Sequence, residues 1–308
     1  MDDTSPGNAG KEPGYCQKES ATGADHYSIY SEIPATPLLV CLFGGLICGI
    51  VLSDWLGIPS DHIMMDLLTD LLMFGGTGLL LVLSILRKGS SAAFNLTDVP
   101  RDVKWVVWGG LAVLLLLFSV GSVTSVLYPL AILWPNWVEE VLLVEPSYAG
   151  LNPGLSGLLR ASSVLLSILV APVIEEAIFR GVLLGRLKRK LGLTRAIIIS
   201  SLIFGVLHVD MIGGTVFGLV MGCLYLERRN LWVPTSCHAL HNGLVLIIDG
   251  LASAKGFHFD TASDIVTWGR FGFLGLTAVL PLGMYVRRQS HLWSSDGYTS
   301  RANPRRLG

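Results

Sequence analysis

The chain has 308 residues, 51% of them hydrophobic and only 15% charged, with a formal net charge of -1. A soluble domain of this size carries about 25% charged residues, so the composition excludes an ordinary soluble enzyme. The near-neutral balance also excludes nucleic acid as a partner, because phosphate recognition needs a basic surface.

Residues 1–34 are polar and rich in Gly, Ser, Thr, Asp and Glu. Such a composition buries too little apolar surface to fold, and it lacks the apolar core of a signal peptide. It is expected to be a disordered N-terminal tail. Residues 35–130 then read as N-terminal transmembrane helices. The region 155–252 holds most of the unusual polar residues, 265–288 is a last transmembrane helix, and 289–308 is a second polar tail.

A membrane helix needs about 20 mostly apolar residues. Candidate spans lie near 36–53, 66–86, 105–130, 161–185, 195–209, 213–227, 231–251 and 266–286. The expected fold class is therefore all-α, a polytopic transmembrane helical bundle of about eight spans. The fifth and sixth spans are short, which is tolerated where neighbouring helices bury their ends. Cys41, Cys48, Cys223 and Cys237 all stand in apolar runs and no Cys-x-x-Cys pair occurs. They read as small hydrophobes rather than as a disulfide framework or a zinc site.

Basic residues set the orientation, since Lys and Arg collect in cytoplasmic loops. Arg87, Lys88, Arg101 and Lys104 follow span two. Arg186, Lys188, Arg189, Lys190 and Arg195 follow span four, Arg228 and Arg229 follow span six, and Arg287 and Arg288 follow span eight. The alternate connections are nearly bare, with Lys255 the one basic residue well clear of a span, and Glu139, Glu140 and Glu145 make loop three–four acidic. The parity predicts a multi-pass protein of the cell membrane with both termini cytoplasmic.

Ionisable residues at membrane depth cost about 2.5–3.5 kcal/mol each on insertion scales and usually mark function. Span four carries Glu175, Glu176 and Arg180, span five carries Phe204 and His208, and span seven carries His238, His241 and Asn242. Residues four apart share a helix face, so Glu176 can pair with Arg180, Phe204 sits with His208, and His238 with Asn242. Glu175 lies about 100° round the helix from Glu176 and is left free to face another group. At about 1.5 Å per residue, Glu175, His208, His238 and Asn242 lie roughly 16, 20, 10 and 16 Å from the cytoplasmic end of their helices. A carboxylate and two imidazoles can form a helix-joining network, yet they are also the groups that hydrolysis needs. Peptide hydrolysis calls for a water, a base and donors aimed at the oxyanion.

The set Glu175-Glu176-x-x-x-Arg180, Phe204-x-x-x-His208 and His238-x-x-x-Asn242 resembles the CPBP family of intramembrane proteases, over about residues 160–250. That family includes the type II CAAX prenyl endopeptidases and bacteriocin-processing or self-immunity proteins. Glu-Glu-Ala-Ile-Phe-Arg-Gly in span four and Leu231-Trp232 before His238 fit it as well. The resemblance implies an endopeptidase acting on a membrane-associated protein or peptide in the lipid bilayer. It implies Glu175 as the base that activates water, with His208 holding that water. It implies His238 and Asn242 as the oxyanion pair, with Glu176, Arg180 and Phe204 in support. A metal is left open: Glu175, His208 and His238 could supply a His₂Glu zinc set, or act on water without zinc.

Three other readings are weighed. Gly154-Leu-Ser156-Gly157 spells the rhomboid-type Gly-x-Ser-Gly, but follows Asn152-Pro153 at the extracytoplasmic start of span four, away from His238 and His241. Asp66 and Asp70 share a face at the start of span two, either as the carboxylates of a transporter or as residues of the membrane interface. The third is a catalytically silent immunity or scaffold protein on the same fold.

Overall fold

The computed structural model describes residues 33–59, 62–87, 105–143, 153–228, 230–255 and 261–293. The tail segments 1–32 and 294–308, and the loop residues Lys88, Arg101, Lys104, Glu145 and Arg229, lie outside the described residues. No strand occurs among the described residues. In lipid this is the expected outcome, because a helix satisfies all its backbone polar groups within one segment.

Eight long helical segments fall where the sequence places eight spans. They are α1 (Ala35–Trp55), α2 (Ile63–Arg87), α3 (Trp105–Leu133), α4 (Gly154–Leu191), α5 (Leu193–Val206), α6 (Met211–Arg228), α7 (Trp232–Ala254) and α8 (Ala262–Trp293). Six of them are long and apolar enough to cross a membrane. The other two are α5, only 14 residues long, and α7, which carries His238, His241 and Asn242. The last helix runs past the predicted boundary at residue 288. Leu292 is buried there, and Gln289 Nε2 donates to Glu227 Oε2 of α6 at 3.1 Å.

The usual burial pattern is inverted. Val40, Ile47, Val106, Leu158, Val206 and Leu274 are exposed, as suits a lipid-facing surface, while Glu175, Glu176, Arg180, His238 and His241 are buried. Close approach between helices comes from small residues, as membrane packing favours. A Cβ on Gly205 of α5 would overlap the Thr215 hydroxyl and the Met211 carbonyl of α6, so this hairpin closes only around glycine. Gly192, at φ 81°, turns α4 into α5 in a conformation that other residues adopt only with strain.

Helix α4 is not regular. It widens into π turns at Leu166–Val170 and Ala177–Leu183, with Ala171–Glu176 as regular α-helix between them. Such turns often mark functional positions. Helix α2 has one at Leu71–Gly75, directly after Asp70. These interruptions decide which side chains meet inside the bundle.

Candidate active site

The ion pair expected within α4 is present. Arg180 Nη1 donates to Glu176 Oε1 at 2.9 Å, and Arg180 Nη2 donates to the Gly218 carbonyl of α6 at 3.1 Å. Both side chains are almost fully buried, so each supplies what the other needs away from water. The same Glu176 Oε1 lies 3.0 Å from His238 Nδ1 of α7. Glu176 thus joins three helices: its own, α6 through Arg180, and α7 through His238.

This bond fixes the His238 ring. With Nδ1–H donated to the carboxylate, Nε2 points the other way, to 3.8 Å from Glu175 Oε2. His208 approaches the same oxygen, its Nε2 at 4.0 Å from Glu175 Oε2. His208, just past the end of α5, donates from Nδ1 to the Phe204 carbonyl at 2.7 Å, so its ring too is oriented by a backbone partner. Neither distance to Glu175 is a direct hydrogen bond. Glu175 Oε2 is buried and has no hydrogen-bond partner, although two imidazoles face it.

Phe204 is the apolar wall of this cluster. It stacks on His208 with ring centroids 4.3 Å apart and on Phe217 at 5.6 Å, and the Arg180 guanidinium lies 4.8 Å from its centroid. Phe217 also meets His238 edge-on at 4.7 Å. His241 turns to α3, where its Nδ1 lies 3.3 Å from the Ala112 carbonyl.

A cavity of about 370 Å³ opens beside the cluster. Glu175, His208, Asn242 and Ser167 line it, and so does Asp70 of α2. Its remaining walls are apolar, including Leu42, Phe43 and Phe74. Asn242 Nδ2 donates to the Ser167 carbonyl, at 2.8 Å, in the first π turn of α4. His238 and Asn242, one helical turn apart, therefore part company. His238 engages Glu176 and is not among the lining residues, whereas Asn242 is at the cavity wall. Ser156 is not among them either.

Among the described residues no group of three or more His, Cys, Asp or Glu side chains is arranged to hold a metal ion. Glu175, His208 and His238 converge, with the two imidazole Nε2 atoms 4.0 and 3.8 Å from Glu175 Oε2.

Two residues at this site carry more than their sequence context suggests. Asp70 faces the cavity rather than the membrane interface. Asp210, by sequence only part of a connector, accepts from Ser119 Oγ and Ser122 Oγ of α3, both at 2.6 Å, and from the Gly213 backbone N–H at 2.9 Å. It caps α6 and pins to α3 the connector that carries His208. An Asp three residues before the amide it bonds is an N-cap signal legible in the sequence; its serine partners on α3 are not.

Fold and site together define a multi-pass helical membrane protein with a carboxylate–imidazole cluster buried in its bundle. Residues 157–244, which hold the whole cluster, match the family described as Rce1-like, type II CAAX prenyl endopeptidase. A curated Bacillus subtilis (strain 168) protein described as "Putative membrane peptidase YdiL" is 35% identical over 88 residues, 28% of this chain and 36% of that protein. The chain thus matches about a third of that relative's length. No solved structure matches the chain significantly.

Proposed function

We propose that the protein is an intramembrane endopeptidase that hydrolyses a peptide bond of a membrane-associated protein or peptide, of CAAX or leader-peptide type, with Glu175 as the base. The observation that carries this reading is the unpartnered, buried Glu175 carboxylate at the wall of a cavity, faced by two oriented imidazoles. A buried carboxylate without donors is costly unless its work requires it.

Glu175 takes a proton from a cavity water, and the water oxygen attacks the scissile carbonyl carbon. His208, with Nδ1–H held by the Phe204 carbonyl, presents an Nε2 lone pair that accepts the second water hydrogen. Asn242 uses one Nδ2 hydrogen on Ser167 and keeps the other for the oxyanion. His238, held by Glu176, brings Nε2 to 3.8 Å from Glu175 Oε2; as an imidazolium it is the second oxyanion donor. On collapse of the tetrahedral intermediate Glu175 returns the proton to the leaving amine as the C–N bond breaks. Glu176, Arg180 and Phe204 hold the pieces in register. No step needs a metal, and the four groups supply base, water holder and oxyanion donors.

The test is cleavage by the purified protein reconstituted in vesicles, using membrane-anchored peptides with and without a prenyl group, followed by mass spectrometry. Cleavage lost in Glu175→Gln supports the reading. Undiminished cleavage in Glu175→Gln, or none by the wild type on any peptide, overturns it.

A further inference from the structure

The cavity is acidic on two sides. Asp70 enters from α2 and Glu175 from α4. Asp70 is close enough to Glu175, and to Asp66 one turn earlier in α2, for each of them to repel its charge. Among the described residues no Lys or Arg lines the cavity to offset them. Arg180, the nearby buried cation, is committed to Glu176 and the Gly218 carbonyl. The Asp70 carboxylate has no hydrogen-bond or ion-pair partner among the described residues. Glu175, only 8% exposed, also lines the cavity and has a buried oxygen without a donor. Its own task accounts for Glu175, but nothing in that mechanism uses Asp70.

We propose that Asp70 forms a substrate subsite for a cationic side chain, a Lys or Arg next to the scissile bond. The inference rests on the protease reading, because the scissile bond is placed by Glu175. An unpaired carboxylate among apolar walls is unfavourable until a cation arrives, and the apolar surroundings then strengthen the pairing. A long Lys or Arg stem suits those walls, with Leu42, Phe43 and Phe74 against its methylenes and the charge at Asp70. A cavity of about 370 Å³ is near the small end of ligand sites, so only residues adjoining the cleaved bond share it with Glu175. Asp70 is then a specificity residue, acting on binding more than on the chemical step.

The experiment uses the full chain in vesicles and a membrane-anchored peptide set carrying Lys, norleucine or Glu at each position flanking the cleaved bond. Wild type should favour Lys over norleucine by about 10- to 100-fold in kcat/KM, carried mainly by KM, as a charge-assisted hydrogen bond allows. Asp70→Asn should abolish that ratio, and Asp70→Lys should transfer the preference to the Glu peptide. Binding of the same peptides to Glu175→Gln, with and without Asp70→Asn, gives a readout that needs no turnover. Cleavage in which Asp70→Asn leaves the Lys-to-norleucine ratio unchanged overturns the subsite and leaves the protease standing. Asp70-dependent binding of the Lys peptide by a protein that cleaves nothing supports the subsite and removes the protease reading. Neither cleavage nor charge-selective binding overturns both.

Discussion

Glu176 and His238 are 62 residues apart in the chain, yet His238 Nδ1 lies 3.0 Å from Glu176 Oε1. That contact makes Glu176 more than the partner of Arg180. It selects the His238 nitrogen that faces Glu175, so adjacent carboxylates on one helix do different work. Glu176 is spent on Arg180 and His238; Glu175 is left for the cavity.

The two glutamates should respond differently to the same change. Glu175→Gln is expected to remove nearly all turnover while the purified protein keeps its thermal transition. Glu176→Gln leaves the buried Arg180 charge uncompensated, and breaking a buried pair in this way costs about 3–5 kcal/mol. Thermal unfolding in detergent, run beside the peptide assay, reads both effects. Equal activity losses with identical thermal transitions would contradict this division.

Asn242 offers a second contrast. Its Nδ2 donates to the Ser167 carbonyl, so an aspartate there would set an acceptor against an acceptor. Asn242→Ala should lower kcat by roughly 10²–10³, the loss expected of one oxyanion donor, with KM little changed. Asn242→Asp should lose stability in addition. A rise in KM at constant kcat in the alanine variant would move Asn242 from the oxyanion to ground-state binding.

Asp210 should act at a distance through His208. Asp210→Ala removes an N-cap, a loss of about 0.5–2 kcal/mol, and frees the connector from Ser119 and Ser122. Thermal stability and kcat should both fall. Asp210→Asn, which keeps an acceptor for the Gly213 amide, should recover part of each. Full activity in Asp210→Ala would show that the connector holds His208 without this anchor.

Metal content separates the two chemistries that the residues allow. Purified active protein is expected to carry no stoichiometric metal and to keep its turnover in chelator. Metal at one equivalent, lost in both His208→Ala and His238→Ala, would recast Glu175, His208 and His238 as ligands.

Orientation can be checked directly. In a cysteine-free background, Lys188→Cys should label with a membrane-impermeant thiol reagent only from the cytoplasmic side, and Lys255→Cys only from the other. The reverse pattern would invert the bundle and place both termini outside.

The helices, and the relations within each one, are legible in the amino-acid order. Lipid offers no hydrogen bonds to a bare backbone, so long apolar runs had to be helical, and eight helical segments stand where eight runs lie. The i,i+4 spacing likewise anticipated the Glu176–Arg180 pair and the stacking of Phe204 on His208, although Arg180 stands in a π turn and His208 just past the end of α5. What crosses between helices follows from packing in the bundle. His238 on Glu176, Asn242 on Ser167, Asp210 on Ser119 and Ser122, and Asp70 in the cavity all depend on helix rotation and approach. In α4 the facing is changed by π turns, each of which turns the C-terminal remainder of the helix. Approach is set by glycine contacts such as Gly205 against Met211. A helical wheel contains no neighbouring helix: it places His238 and Asn242 on one face of α7, which is regular, but only the packed bundle gives His238 to Glu176 and Asn242 to the Ser167 carbonyl.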